Sequence, residues 1–223
     1  MQVANELMVK GVVVGVFQEN CWVVGSRRTR EAFVIDPGDE PETILALAKD
    51  MGLTVKRIIC SHAHVDHIMA VRPVQERTGA DFLLHPADIP IAQSMAKSAA
   101  RFLGYEPPPP PDPSAPLGDG DVVEVDGLQL RVIHTPGHTP GSVSFYTEGL
   151  LFSGDTLFRG SIGRTDLPGG DYDQIMQSII GRLLTLPEET IVLPGHMQQT
   201  QIGFEKQANP FVLQEMQQLR GGD

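Results

Sequence analysis

The sequence is short of cysteine, aromatic side chains and positive charge, and each shortage removes a class of protein. Cys21 and Cys60 are its two cysteines. Both lie in apolar runs and read as small core residues, so neither a disulfide framework nor a cysteine-rich zinc module is available. That usage fits a reducing compartment, and a cytoplasmic location is expected. Lysine and arginine number 17 against 28 acidic residues, giving a formal net charge of −11. Such a surface repels phosphate backbones, and the short run Arg27-Arg28-Thr29-Arg30 reads as a solvated hairpin turn, so no nucleic-acid partner is expected. The single tryptophan, Trp22, is expected in the core. Long hydrophobic runs are also missing. The N-terminal stretch MQVANELMVKGVVVGVF is interrupted by Lys10 and has no basic start, so neither a signal peptide nor a membrane span is expected.

What is present suits a globular protein: 223 residues, 41% hydrophobic and 20% charged, with no linker, so one domain over residues 1–223 is expected. Short β-rich runs cover 9–17, 21–25, 32–35, 55–60, 81–84 and 190–193. Two hairpins are predicted, 122–125 with 128–133 around Asp126-Gly127, and 142–146 with 150–153 around Glu148-Gly149. Helices are predicted over 41–52, 69–78, 89–103, 172–184 and 210–219. The tract PPPPPDPSAP (107–116) admits neither helix nor central strand and reads as a surface crossover. Strand-rich stretches in each half with helices between them indicate an α+β fold of two packed mixed sheets covered by helices.

The densest chemistry lies in CSHAHVDHI (60–68), where His62, His64, Asp66 and His67 fall within six positions. His138 in VIHTPGHTPGS, Asp155 in LLFSGDTLF and His196 in VLPGH occupy the same kind of place, a turn just after an apolar strand. Strand ends on a rigid sheet are where distant ligands can converge. Imidazole and carboxylate without thiolate is the donor chemistry of a catalytic zinc or iron site. The bland alternative, capping or hydrogen-bonded histidines, is natural for one such segment and strained for four.

In order and approximate spacing, SHAHVDH, PGHTPGS, FSGDTLF and LPGH resemble the successive metal-binding motifs of the metallo-β-lactamase superfamily. IGRTDLPGGD and IGFEKQANPF are similar to small glyoxalase II-like (hydroxyacylglutathione hydrolase-like) hydrolases. The resemblance implies a four-layer αββα sandwich with two divalent metal ions at one edge, zinc first, with iron or manganese as alternatives. It implies that His62, His64 and His138 hold one ion, that Asp66, His67 and His196 hold the other, and that Asp155 bridges them. Strand alternation alone puts positions 62, 64 and 66 on one side, so the separation of Asp66 rests on the resemblance.

The implied chemistry is hydrolysis of a small-molecule thioester such as S-lactoylglutathione. Metal binding lowers the pKa of water from 15.7 toward roughly 7, which supplies a metal-bound hydroxide, and residual positive charge stabilises an oxyanion. Asp66 is the expected catalytic residue, orienting that nucleophile or accepting its proton. A thiol with a pKa of about 8.5 leaves without a strong acid. Asp36 in VIDPG is expected to fasten the histidine loop, and His134 and His85 to pack. Arg164 and Asp166 either line the substrate pocket or form an internal salt bridge; Arg159 and Tyr105 are further pocket candidates. The strongest rival is a mononuclear-iron persulfide dioxygenase of the same fold, which shares the main motifs. A β-lactamase is disfavoured by the lack of a secretory segment, and a non-catalytic metal-binding module by the full donor set. Full-length glyoxalase II enzymes carry a helical C-terminal domain that contributes the glutathione site, whereas 27 residues follow His196, so the thiol of the substrate stays open.

Overall fold

The computed structural model describes residues 6–221. The first sheet contains β1 (Leu7–Val14), β2 (Glu19–Ser26), β3 (Glu31–Ile35), β4 (Thr54–Ile59), β5 (Asp81–Leu84) and β6 (Ala115–Pro116), hydrogen-bonded in that order. β1, β2 and β3 pair antiparallel, and β3 through β6 pair parallel. Parallel pairs need crossovers, and α1 (Pro41–Asp50), α2 (Val65–Ile68), α3 (Val71–Thr78) and α4 (Ile89–Leu103) supply them. The second half contributes β7 (Val122–Val125), β8 (Leu128–His134), β9 (Val143–Thr147), β10 (Leu150–Gly154), a separate ribbon of β11 (Leu157–Phe158) and β12 (Ser161–Ile162), then β13 (Ile191–Pro194) and β14 (Thr200–Gln201). Its six-stranded sheet runs β14-β13-β10-β9-β8-β7, and α5 (Tyr172–Gly181), α6 (Ile202–Ala208) and α7 (Pro210–Gly221) follow the ribbon in the chain.

Side-chain parity sorts the strands into three cores. On β3, Ala32 and Val34 join Ile44, Val71, Val74 and Met95 of the helices that cover the first sheet. Phe33 and Ile35, pointing the other way, meet Val132, Phe145 and Phe152 of the second sheet. On β8, Val132 faces this inter-sheet core, whereas Ile133 packs with Ile175, Ile179 and Leu183 beneath the second set of helices. Successive residues of a strand point to opposite faces, so a continuous apolar strand buries both. The result is the expected helix–sheet–sheet–helix order. No helix among the described residues is long and apolar enough to cross a membrane.

Both predicted hairpins form, with Glu148 and Gly149 at positive φ in the second turn. Three expectations need correction. The strand expected over 9–17 stops at Val14, because the chain reverses through Gly15 and Gln18 at φ 65° and 55° and leaves Val16 and Phe17 in the exposed turn. The helix expected over 69–78 is present as Val71–Thr78, but a further short helix that was not expected, Val65–Ile68, precedes it and begins inside the histidine cluster. Trp22 is half-buried at the rim of the inter-sheet core, with its ring edge toward Phe152 and its Nε1 donating to the Pro194 carbonyl at 3.2 Å. The proline tract crosses over and lends Ala115–Pro116 to the sheet edge, where a strand tolerates proline.

Candidate metal centre

Four strand ends deliver the donors. The chain leaves β4 at Ile59 and passes through Ser61 to Ala63 before turning into α2; β8 leads to the His138 loop, β10 to Asp155 and β13 to His196. His62, His64 and His138 form one set of converging donor atoms, and Asp66, His67 and His196 form another, each within 4.8 Å. In the first, His64 Nδ1 lies 2.9 Å from His138 Nε2. In the second, His196 Nε2 lies 3.1 Å from Asp66 Oδ2. Asp155 stands between them, 3.6 Å from His138 Nε2, 3.4 Å from His67 Nε2 and 3.7 Å from His196 Nε2. The alternation argument for positions 62, 64 and 66 fails here for a physical reason. Residues 60–64 are no longer strand, and Asp66 sits in the first turn of α2, which swings it toward His196.

The rings are fixed from behind. Asp36 accepts from the Ser61 N–H at 2.6 Å and the Ser61 hydroxyl at 2.6 Å, and it lies 3.1 Å from His67 Nδ1. His138 Nδ1 faces the Arg164 carbonyl at 2.7 Å, and His62 Nδ1 faces Ser61 Oγ at 3.0 Å. With those nitrogens engaged, His62 Nε2, His67 Nε2 and Asp155 Oδ1 point inward, buried and without any hydrogen-bond partner. Each such orphan costs about 1–3 kcal/mol. A cation among them satisfies all three, so the donor set fits divalent metal of the imidazole and carboxylate-binding kind.

The electrostatics of the metal-free cluster point the same way. Burial pulls the His62 imidazole well below its ordinary range, and burial with the neighbouring His138 takes His64 down to about 4. Both are therefore neutral lone-pair donors at neutral pH. Burial would depress His67 too, but the carboxylates of Asp155 and Asp66 outweigh it and push its pKa well up. Burial disfavours the charged forms of Asp66 and Asp155, yet His67 and His196 together, joined at Asp155 by His138, outweigh it, so both are held below the usual carboxylate range. In effect His67 carries a proton where the carboxylates call for a cation.

Arg164 and Asp166 form an exposed bidentate pair at 2.8 and 2.7 Å, so of the two readings the internal salt bridge is present, and the Arg164 main chain supplies the contact to His138. Arg159 is exposed, with its guanidinium 5.1 Å from the Phe204 ring centroid, and Tyr105 is exposed with its hydroxyl 3.9 Å from Met69 Sδ. None of these side chains is bonded to the donor cluster. His85 and His134 stack on each other at 4.4 Å, the packing role expected of them.

Sequence reasoning missed two residues at the centre. Glu19 is buried beside Asp36 and His67 with both carboxylate oxygens unpartnered, and burial pushes its pKa well up. Its signal was parity, since it shares a strand face with the buried Cys21 and Val23. Asn20 ties down the His196 loop, its N–H donating to the Gly195 carbonyl at 2.7 Å and its amide to the Pro194 and Met197 carbonyls at 3.1 and 2.9 Å.

The family model described as the metallo-beta-lactamase superfamily matches residues 14–196. The chain belongs to the metallo-beta-lactamase superfamily. Within it, hydroxyacylglutathione hydrolase GloC of Haemophilus influenzae is 34% identical over 210 residues, covering 90% of this chain and 96% of that protein. Among solved superfamily structures, the BLEG-1 B3 metallo-beta-lactamase superposes with a TM-score of 0.86 at 38% identity, covering 92% of this chain and 99% of that one. TTHA1623 in a di-iron-bound form gives 0.81 at 44%, covering 91% and 99%. ETHE1 from Myxococcus xanthus gives 0.78 at 28%, covering 95% and 91%.

Proposed function

We propose that this chain hydrolyses a thioester, S-lactoylglutathione or a related thiol ester, at a centre of two divalent metal ions, zinc first. The observation that carries the reading is the pair of donor sets that meet at Asp155 with three buried inward atoms left unpartnered. Similarity to a protein named hydroxyacylglutathione hydrolase, over nine-tenths of the chain, supports the choice of substrate.

When bound, such ions supply Lewis-acid charge at a carbonyl oxygen and lower the pKa of water from 15.7 toward about 7. His62, His64 and His138 would hold one ion, Asp66, His67 and His196 the other, with Asp155 between them. Asp66, kept ionised by His67 and bonded to His196, orients the attacking water and accepts its proton. Water adds to the thioester carbon, the carbon–sulfur bond breaks, and the products are a carboxylic acid and a thiol. No lysine, arginine or tyrosine side chain is bonded to the cluster among the described residues, and a leaving thiol with a pKa of about 8.5 needs no such acid.

A second reading is a mononuclear-iron persulfide dioxygenase of the same fold, with His62, His138 and Asp155, or their near neighbours, as a two-histidine, one-carboxylate set. The di-iron-bound neighbour at 44% identity supports iron as the metal, though with two ions rather than one. Isotope labelling separates the two. Hydrolysis in oxygen-18 water puts one heavy oxygen into the released acid and consumes no dioxygen. Label arriving from dioxygen in sulfite formed from a persulfide substrate would overturn the hydrolase reading. A β-lactam in the same assay is the control for the lactamase neighbour; its turnover in preference to thioesters would reassign the substrate class.

A further inference from the structure

Asp88 lies outside both donor sets and is wholly buried, in the one-turn 3-10 helix Pro86–Asp88 that links β5 to α4. Its Oδ2 accepts from the Ala63 N–H at 2.9 Å and from the Thr139 hydroxyl at 2.8 Å, and its Oδ1 accepts from the Gly141 N–H at 2.7 Å. Ala63 sits between His62 and His64, and Thr139 follows His138. One carboxylate therefore grips both loops that carry the first donor set. We infer that Asp88 is a positioning residue for that set: it fixes the His62–His64 loop against the His138 loop and thereby sets metal affinity at that half of the centre. The inference rests on the metal-dependent reading above.

The surroundings are built for this grip. A Cβ at position 141 would stand 2.6 Å from Asp88 Oδ1, so only glycine lets the backbone come this close. Ser142 Oγ bonds the Thr139 hydroxyl at 2.8 Å and accepts from the Thr139 N–H at 3.0 Å, aiming the hydroxyl at Asp88. On the outer side His85, just before the Asp88 turn, stacks on His134 at the start of the His138 loop, and His134 Nε2 meets the Pro140 carbonyl of that same loop at 2.9 Å. Asp36 stands behind both halves, meeting His67 directly and reaching His62 through Ser61. Asp88, by contrast, contacts only the loops of the first donor set.

All three partners of Asp88 are donors, and a carboxylate presents acceptors at both oxygens. The substitution Asp88→Asn would keep the shape but turn an NH2 group against at least one of these donors. Loss of such an outer partner lowers metal affinity by roughly 10–100-fold.

The test is a competitive chelator titration of the full-length metal-free protein with cobalt(II), read by its visible spectrum, for the wild type, Asp88→Asn and Asp36→Asn. In Asp88→Asn one equivalent should weaken by roughly 10–100-fold with a changed spectrum while the other is retained; Asp36→Asn, which loosens His67 directly and His62 through Ser61, should weaken both. Unchanged affinities in Asp88→Asn, or equal loss at both, would make Asp88 an ordinary fold residue and overturn the inference. Thr139→Val, which removes one of the three donors and leaves the charge, covers the case in which Asp88→Asn does not fold. A smaller loss confined to the same equivalent is expected, and an unaltered titration contradicts the inference. Failure of the metal reading itself would show earlier, as a wild type that takes up no metal.

Discussion

Gly195 stands between Pro194 and His196, and its N–H donates to the Gly154 carbonyl at 2.9 Å. Its φ is not positive, so alanine suits the backbone, and the obstacle is space. A Cβ there would lie 2.5 Å from Asp155 Oδ1 and 2.7 Å from His67 Cε1, where real Cβ contacts essentially never fall below 3.0 Å. Asp155 or the His196 segment must therefore retreat by at least 0.5 Å. His67 cannot yield easily, since it is buried and lies against Asp36. A catalytic constellation tolerates about 0.5 Å, and a misplacement of about 1 Å costs on the order of 100-fold in rate. Gly195→Ala should thus lower kcat/KM for thioester hydrolysis by roughly 10–100-fold, with weaker metal retention and about 1–3 kcal/mol of overpacking cost. The assay is thiol release by metal-loaded protein, paired with elemental analysis of the same sample after dialysis. Wild-type kcat/KM and wild-type metal content in this variant would refute the reasoning, because the donors would then not be held at the distances described.

Three further outcomes are expected. His62→Ala removes a buried donor nitrogen and should lose metal and activity together; an unaffected rate would mean that the site lies elsewhere. Arg164→Ala should leave metal content unchanged, since residue 164 meets His138 through its main-chain carbonyl; loss of metal would show that the exposed pair with Asp166 shapes the loop. In metal-free protein, burial holds the Glu19 pKa well above its ordinary value of 4.5, so above that pH the unfolded chain gives up a proton that the folded protein keeps. The wild type should therefore lose stability relative to Glu19→Gln as pH rises from 4.5, read as the difference in Tm, and a pH-independent difference would contradict this account of Glu19.

The fold was legible where one residue type served one purpose. β3 read as a buried strand because both of its faces are apolar. β8 read as a strand because Leu128, Leu130 and Val132 alternate with Gln129 and Arg131, and the two hairpins read from Asp126-Gly127 and Glu148-Gly149. The seven donors were legible because histidine and aspartate after an apolar strand have few other reasons to be there. Val16 and Phe17 misled, since β-favouring side chains occupy a turn exposed beside the cluster. Asp66 could not be placed by alternation because the strand had already ended and α2 had begun. Asp88 and Asn20 were hidden for another reason. Their work is done on main-chain groups of loops distant in sequence, and a helix-start aspartate or a strand asparagine looks the same whether or not such a loop lies opposite.

The most direct test of the central claim is to titrate metal into the metal-free protein without oxygen, measuring bound metal and thiol released from S-lactoylglutathione on the same samples. The account predicts activity that rises with divalent metal and levels off at two ions per chain. Saturation at one iron with no thiol released in the absence of oxygen would contradict it.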